Sequence, residues 1–116
     1  MDRIQIYHNP RCRKSREGLQ YLRDHGVEPE IIDYLNHPPT PDELKTLAQK
    51  LGLRPKDFIR RQEADFKELG LKAHLDDDDY LLTAMSSHPK LIERPIAVQG
   101  NRAVLGRPAE NFESLL

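Results

Sequence analysis

The first thirty-four residues constrain the fold more than any other part of the chain. Ile4–Tyr7 is rich in β-branched and aromatic residues and contains no breaker, which predicts a buried strand. From about Cys12 the spacing becomes helical, with one face formed by Ser15, Gly18, Leu19 and Leu22. Gly26 marks the end of this helix, and Glu30–Tyr34 is typical of a second strand. A strand, a helix and a strand within about thirty residues predict a βαβ unit with parallel strands and a right-handed connection.

A helical block is predicted at about residues 40–88. Thr40 is suited to the N-cap, Pro41 to the first helical position, and Glu43 completes a capping box; Gly52 ends this helix. Two shorter helical segments, PKDFIRR and ADFKELG, precede a longer one at Asp78–Ser87. The run of aspartates at 76–79 lacks the alternate spacing and the glycine of a calcium loop. We therefore expect these aspartates to stabilise the N-terminus of the last helix, and we predict no metal site.

The C-terminal part predicts an antiparallel hairpin. Ile96–Gln99 and Arg102–Leu105 flank the two-residue turn Gly100-Asn101, and the closing segment PAENFESLL is predicted to be helical. A hairpin added to a parallel pair makes a mixed sheet, so the fold class is α/β: a thioredoxin-like mixed sheet flanked by helices. We expect residues 1–116 to form a single domain in which the block at about 40–88 is an insertion.

Composition excludes several kinds of partner. The net charge of the 116 residues is −1, which argues against broad electrostatic binding to nucleic acid or to an anionic membrane. No segment is long and apolar enough to cross a bilayer, and MDRIQIYHNP lacks the apolar segment of a signal peptide. A chain with one cysteine cannot form an internal disulfide. These features predict a small cytoplasmic protein.

The one cysteine, Cys12, lies in the stretch YHNPRCRKSR among basic side chains. If the first strand ends near Tyr7 and the helix begins at Cys12, unpaired backbone N–H groups and the helix dipole favour its thiolate. Adjacent cations lower a thiol pKa further. The position therefore favours a functional thiol over an incidental one.

Spacing excludes several chemistries for this thiol. A dithiol motif would need a cysteine where Ser15 stands, and a phosphatase-type anion loop would need an arginine where Gly18 stands. Scattered histidines give weak support for a cysteine protease or a structural zinc site. A monothiol remains, whose resolving thiol must come from another molecule.

These residues resemble a known family. The segments IYHNPRCRKSR, NHPPTPDEL, FIRR, KELGL, HPKLIERPIAV and LGRP are similar to the glutaredoxin-coupled arsenate reductase (ArsC) family over nearly the whole chain. Because the chain stops at Leu116, it resembles the shorter, chromosomal branch of that family. The resemblance implies Cys12 as the nucleophile, His8 as its activating neighbour, and an oxyanion site formed by Arg60, Arg94 and Arg107. Because Arg61 follows Arg60 directly, which of the two reaches the site stays open.

The resemblance also implies a reaction. The Cys12 thiolate attacks arsenate or a similar oxyanion, glutathione acts as co-substrate, glutaredoxin resolves the mixed disulfide, and no cofactor is bound. His8 is expected to favour the thiolate by charge or by hydrogen bonding, and a supporting role without direct contact to the sulfur stays an alternative. Asn9, Ser15 and Pro95 are expected to support the site; the Ser15 hydroxyl either donates to the sulfur or satisfies the first helical turn, and the second is favoured. Thioredoxin-like folds place a cis-proline facing the redox cysteine, so the Arg94–Pro95 bond is predicted to be cis.

Two alternative functions remain open from the sequence. Spx-type regulators share this fold and bind RNA polymerase, often through a C-x-x-C switch that Ser15 removes here. A glutathione-dependent thiol oxidoreductase with another substrate would share the same residues.

Overall fold

A four-stranded mixed sheet carries the N-terminal and C-terminal parts of the chain. The computed structural model describes residues 3–116, which divide into two compact units, one running up to Tyr34 and resuming at Arg94–Leu116, the other formed by Leu35–Glu93. The first unit holds four strands and a helix, in chain order β1 (Gln5–Tyr7), α1 (Arg13–Asp24), β2 (Glu30–Ile32), β3 (Ile96–Gln99) and β4 (Arg102–Leu105).

The sheet order is β2-β1-β3-β4. β1 pairs with β2 in parallel and with β3 antiparallel, and β3 pairs with β4 antiparallel. The predicted parallel pair and the predicted hairpin are confirmed, the hairpin with the expected bounds. β2 ends two residues earlier than predicted, at Ile32.

The core of this unit forms where α1 covers the sheet. Every residue of the predicted helical face is buried, and Leu19 and Leu22 pack with Ile4, Ile6, Ala97, Phe112 and Leu115. The C-terminal segment Ala109–Leu115 is a 3-10 helix rather than an α-helix. Residues three apart share one side of a 3-10 helix, and this lets Phe112 and Leu115 enter the core together.

Gly18 lets α1 approach the chain just before β3. A Cβ atom at this position would lie 2.6 Å from Cγ of Pro95 and 3.0 Å from Cε2 of Phe112. Both distances are shorter than ordinary contacts between carbon atoms, which are about 3.5–4.0 Å. The absence of a side chain at Gly18 therefore sets how closely α1 packs against Pro95.

The second unit contains the predicted helical block. Its helices are α2 (Pro41–Leu51), α3 (Ala64–Glu68) and α4 (Asp78–Ser87), and its 3-10 segments are Pro55–Asp57, Leu71–His74 and Pro89–Leu91. The capping box of Thr40 and Glu43 is confirmed, and Gly52 ends α2 with a φ of 68°. That both units form one domain stays a prediction.

The aspartate run serves the start of α4, as predicted. Asp77 is the N-cap residue and accepts a hydrogen bond from the backbone N–H of Tyr80 at 3.1 Å. Asp78 pairs with Arg54 at 2.9 Å. Within residues 3–116, no group of three or more histidine, cysteine or acidic side chains is arranged to hold a metal ion. In that same range no helix is both long and apolar enough to cross a membrane.

Candidate active site

Cys12 is held at the N-terminus of α1 by the loop that follows β1. Its backbone N–H donates to the carbonyl of Asn9, and its own carbonyl accepts from Arg16, both at 3.0 Å. The Asn9 side chain accepts from the backbone N–H of Arg11 at 3.0 Å, which closes the loop locally. Cys12 is the N-cap residue, with φ −95° and ψ 122°. This extended conformation places its partly exposed thiol over the first turn of the helix.

The surroundings of Cys12 lower the pKa of its thiol. Partial burial raises this pKa, but hydrogen bonds from the backbone N–H of Ser15 and from the Arg94 guanidinium act against it. The positive charge of Arg94 and the backbone N–H of Lys14 lower the pKa further. Because these effects outweigh burial, the pKa of Cys12 lies below its usual value of 9.0. The site therefore favours the nucleophilic thiolate.

Two of the predicted arginines reach this thiol. Arg107 Nη2 lies 3.7 Å from Sγ of Cys12, and Arg107 Nε donates to the carbonyl oxygen of Arg94 at 2.7 Å. The Arg94–Pro95 peptide bond is cis, as predicted, and so is Arg107–Pro108, which was not predicted. Two guanidinium groups beside a thiolate can bind a tetrahedral oxyanion with paired, charge-assisted hydrogen bonds.

The register of the sheet explains how segments distant in the sequence meet at Cys12. Tyr7, at the end of β1, pairs with Ile96, at the start of β3, and Ile96 pairs with Leu105, at the end of β4. Arg94 comes two residues before Ile96 and Arg107 two residues after Leu105. Both arginines therefore lie at the end of the sheet where β1 ends and the Cys12 loop begins.

His8 is connected to Cys12 through Ser15. The His8 ring is buried, with 7% of the residue exposed, and its Nδ1 lies 2.9 Å from Oγ of Ser15. That oxygen also accepts from the backbone N–H of Asn9 at 2.9 Å. In the described part of the chain, Nδ1 is the acceptor available to the buried Ser15 hydroxyl proton, so we assign the neutral ring a proton on Nε2.

The pKa of His8 bears on one of the alternatives expected for this residue, activation of the thiolate by charge. Burial lowers the pKa of His8 below 6.5, and the charges of Arg23 and Arg16 lower it further; an opposing hydrogen bond with the backbone of Ser15 does not compensate. The lowered pKa favours the neutral ring, which argues against activation of the thiolate by the charge of His8. Activation by hydrogen bonding stays a prediction. The Ser15 hydroxyl follows neither of its two predicted roles, because it bonds to His8 and Asn9; the backbone N–H of Ser15 is what reaches the sulfur.

Arg60 lies in the second unit, where it is paired with two carboxylates. Its Nε donates to Glu63 at 3.1 Å and its Nη1 to Glu93 at 2.8 Å, with 16% of its side chain exposed. An antiparallel bridge between Ile59 and Ile92 joins the two segments, and Glu93 lies diagonally across from Arg60. The sequence analysis missed these carboxylates, although a glutamate three residues after Arg60 is a recognisable ion-pair spacing.

Arg61, the neighbour of Arg60, is exposed and donates to the backbone carbonyl of Lys56 at 3.0 Å. Both arginines therefore have partners within the second unit. Binding of an oxyanion by either of them stays a prediction.

Comparison with known proteins identifies the family. The model of the ArsC family matches residues 7–115. The chain belongs to the ArsC family. An arsenate reductase of Neisseria meningitidis serogroup A is 45% identical over the full length of both chains. An arsenate reductase of Escherichia coli K12 is 44% identical over 95% of this chain and 78% of the relative.

Solved structures agree with this assignment. An arsenate reductase from Vibrio cholerae is 46% identical and superposes with a TM-score of 0.94, covering 99% of this chain and 98% of the other. A related ArsC family protein from Bacteroides fragilis, at 23% identity, has the same fold with a TM-score of 0.87. The thioredoxin-like mixed sheet flanked by helices is confirmed. In this ArsC chain, the residues predicted at Cys12, Arg94 and Arg107 come together within one unit.

Proposed function

We propose that this protein is an arsenate reductase in which Cys12 is the nucleophile and Arg94 and Arg107 bind the oxyanion. The observation that carries the proposal is the Arg107 guanidinium, 3.7 Å from a thiol whose pKa is lowered at the start of α1. Full-length similarity to proteins named arsenate reductase supports the choice of substrate. At neutral pH arsenate carries one to two negative charges on four oxygens, which suits a pair of guanidinium forks.

The first step forms a bond between sulfur and arsenic. The Cys12 thiolate attacks arsenic(V), and one arsenate hydroxyl takes a proton and leaves as water. Arg94 and Arg107 stabilise the negative charge that builds up on the remaining oxygens. His8, Ser15 and Asn9 hold the loop and the first helical turn so that the sulfur stays in place.

The second step reduces arsenic with an external thiol. A glutathione thiolate attacks the Cys12 sulfur, a sulfur–sulfur bond forms, and the sulfur–arsenic bond breaks with its electron pair on arsenic, which leaves as arsenite. A glutaredoxin thiolate then attacks the glutathione sulfur and releases the Cys12 thiolate. External thiols fit a chain with a single cysteine, and a cytoplasmic location fits their supply, because thiols are kept reduced there. The reaction needs no bound cofactor.

A coupled assay tests the proposal. Glutathione, glutathione reductase and glutaredoxin should support NADPH oxidation that depends on arsenate. Loss of a charge-assisted hydrogen bond costs about 1.5–3 kcal/mol, so Arg94→Ala and Arg107→Ala should each lower kcat/KM by roughly ten- to hundredfold. Arg94→Lys should not restore full activity, because an ammonium lacks the planar fork.

The control is Arg102→Ala, which removes an exposed arginine at the other end of the hairpin and should turn over arsenate normally. A reactive Cys12 without any arsenate-dependent NADPH oxidation would contradict the proposed substrate. It would leave a glutathione-dependent thiol oxidoreductase with another substrate.

A further inference from the structure

Four cations surround Cys12 in the sequence: Arg11, Arg13, Lys14 and Arg16, which we call the basic turn. All four are exposed. Residues 11–17 contain these four cations and a single acidic residue, Glu17. The whole chain, in contrast, has a net charge of −1. The basic turn is therefore a local concentration of positive charge in a chain that is otherwise acidic.

The protein itself neutralises little of this charge. Arg13 and Lys14 share Glu17, at 3.1 and 3.6 Å. Arg16 donates to the uncharged carbonyl of Pro10 at 2.9 Å. Within residues 3–116, the Arg11 side chain makes no hydrogen bond or ion pair. Exposed ion pairs such as those with Glu17 contribute about 0–1 kcal/mol and can rearrange when a partner binds.

The arrangement of the basic turn suits an extended partner better than a small anion. Side chains on successive helical positions diverge by about 100°. Lys14 therefore points away from Arg13 and Arg16, which share one face at the start of α1. The Arg13 and Lys14 side chains are 84% and 53% exposed. A small anion needs donors that converge, whereas cations spread over an exposed surface match an acidic protein surface.

We propose that the basic turn is the docking surface for an acidic protein that brings a thiol to Cys12. The proposal rests on the proposed function in one respect, namely that Cys12 becomes a mixed disulfide. The chain has one cysteine, so the thiol that resolves this disulfide belongs to another molecule. Positive charge around the disulfide attracts a partner with an acidic surface around its thiol and raises the rate of encounter.

The test follows a single reduction of the mixed disulfide. Cys12 is converted to its glutathione mixed disulfide chemically, without arsenate, and its reduction by a purified bacterial glutaredoxin is followed by stopped flow. Combined Arg11→Gln and Lys14→Gln should lower the second-order rate constant by about five- to tenfold at low salt. The difference should shrink in about 1 M salt, where the screening length falls to about 3 Å. Arg16 is left intact because its side chain supports the Cys12 loop.

A matched control removes the same charge elsewhere. Arg3 precedes β1 and Arg102 begins β4, so both lie at the end of the sheet opposite the Cys12 loop. Combined Arg3→Gln and Arg102→Gln should leave the rate with glutaredoxin unchanged. Reduction by dithiothreitol, whose small attacking thiolate carries a single charge and no protein surface, should change by much less than reduction by glutaredoxin in every variant.

Three results would overturn the docking surface. The Arg11 and Lys14 variant could react with glutaredoxin at the wild-type rate. It could react more slowly with dithiothreitol by the same factor, which would trace the effect to the disulfide itself. Its rate constant could fall by the same factor with glutathione as with glutaredoxin. That result would mean that the basic turn attracts a small anionic thiol and not a protein surface. Because the disulfide is made without arsenate, failure of the proposed substrate would appear only in the coupled assay.

Discussion

Replacing Gly18 with alanine tests whether close packing of α1 positions the active site. The added methyl group would point at Cγ of Pro95, 2.6 Å away, and at Cε2 of Phe112, 3.0 Å away. Pro95 is a rigid ring and Phe112 is fully buried in the core, so neither can swing aside as a long flexible side chain would. Pro95 also follows Arg94 directly, so a displacement of this ring moves the backbone that carries an arginine of the proposed oxyanion site.

Two opposing contributions set the size of the effect. Alanine is more favourable than glycine inside a helix by about 1 kcal/mol. Overpacking a well-packed core costs about 1–3 kcal/mol. Because a separation of 2.6 Å is about 1 Å inside normal contact, we place the cost in the upper half of that range. Gly18→Ala should therefore lower the free energy of unfolding by about 1–2 kcal/mol.

Urea unfolding at pH 7.5 measures this change. The matched control is Gln20→Ala, on the exposed face of the same helix, which should lie within about 0.5 kcal/mol of wild type. In Gly18→Ala we also expect the pH midpoint of Cys12 alkylation to rise. Arg94 helps to lower the pKa of that thiol, and a displaced Pro95 would move Arg94. A Gly18→Ala protein that is more stable by about 1 kcal/mol and keeps the wild-type midpoint would refute the reasoning.

Three further predictions concern single side chains. The rate of Cys12 alkylation by iodoacetamide should have its midpoint below pH 9.0; a midpoint at or above 9.0 would contradict the lowered pKa. Because the folded-state pKa of His8 is below 6.5, the unfolded chain binds more protons between the two values, so stability should fall as pH decreases through this window. Urea unfolding at pH 5.5 and 7.5 measures that loss, which should be smaller in His8→Gln; an unchanged loss would assign it to other groups. Arg60→Ala should cost about 1–3 kcal/mol in stability, because it leaves the Glu63 and Glu93 carboxylates without their shared cation. Arg61→Ala should cost less than about 0.5 kcal/mol, and equal losses in the two variants would contradict the ion-pair assignment.

The local elements of this protein were predictable from its sequence. The capping box at Thr40, the helix Asp78–Ser87 and the hairpin around Gly100 were predicted with their observed bounds or nearly so. Each depends on hydrogen bonds or side-chain spacings within a few residues, so a short segment of the sequence is enough to predict it. The position of Cys12 at a helix start is equally local.

The resemblance to the ArsC family named the site residues, but it did not supply their environment. Sequence spacing does not report burial, and burial is the main reason that the pKa of His8 is lowered. The role of the Ser15 hydroxyl also depends on a contact with His8, seven residues earlier, across the turn.

Only the tertiary structure decided how the distant arginines are used. Arg94 and Arg107 are brought to Cys12 by the register that aligns Tyr7, Ile96 and Leu105. Arg60 meets Glu93, thirty-three residues away, because a bridge between Ile59 and Ile92 aligns their segments. The free energy of such long-range pairs comes from packing over the whole unit, so no short stretch of sequence contains it.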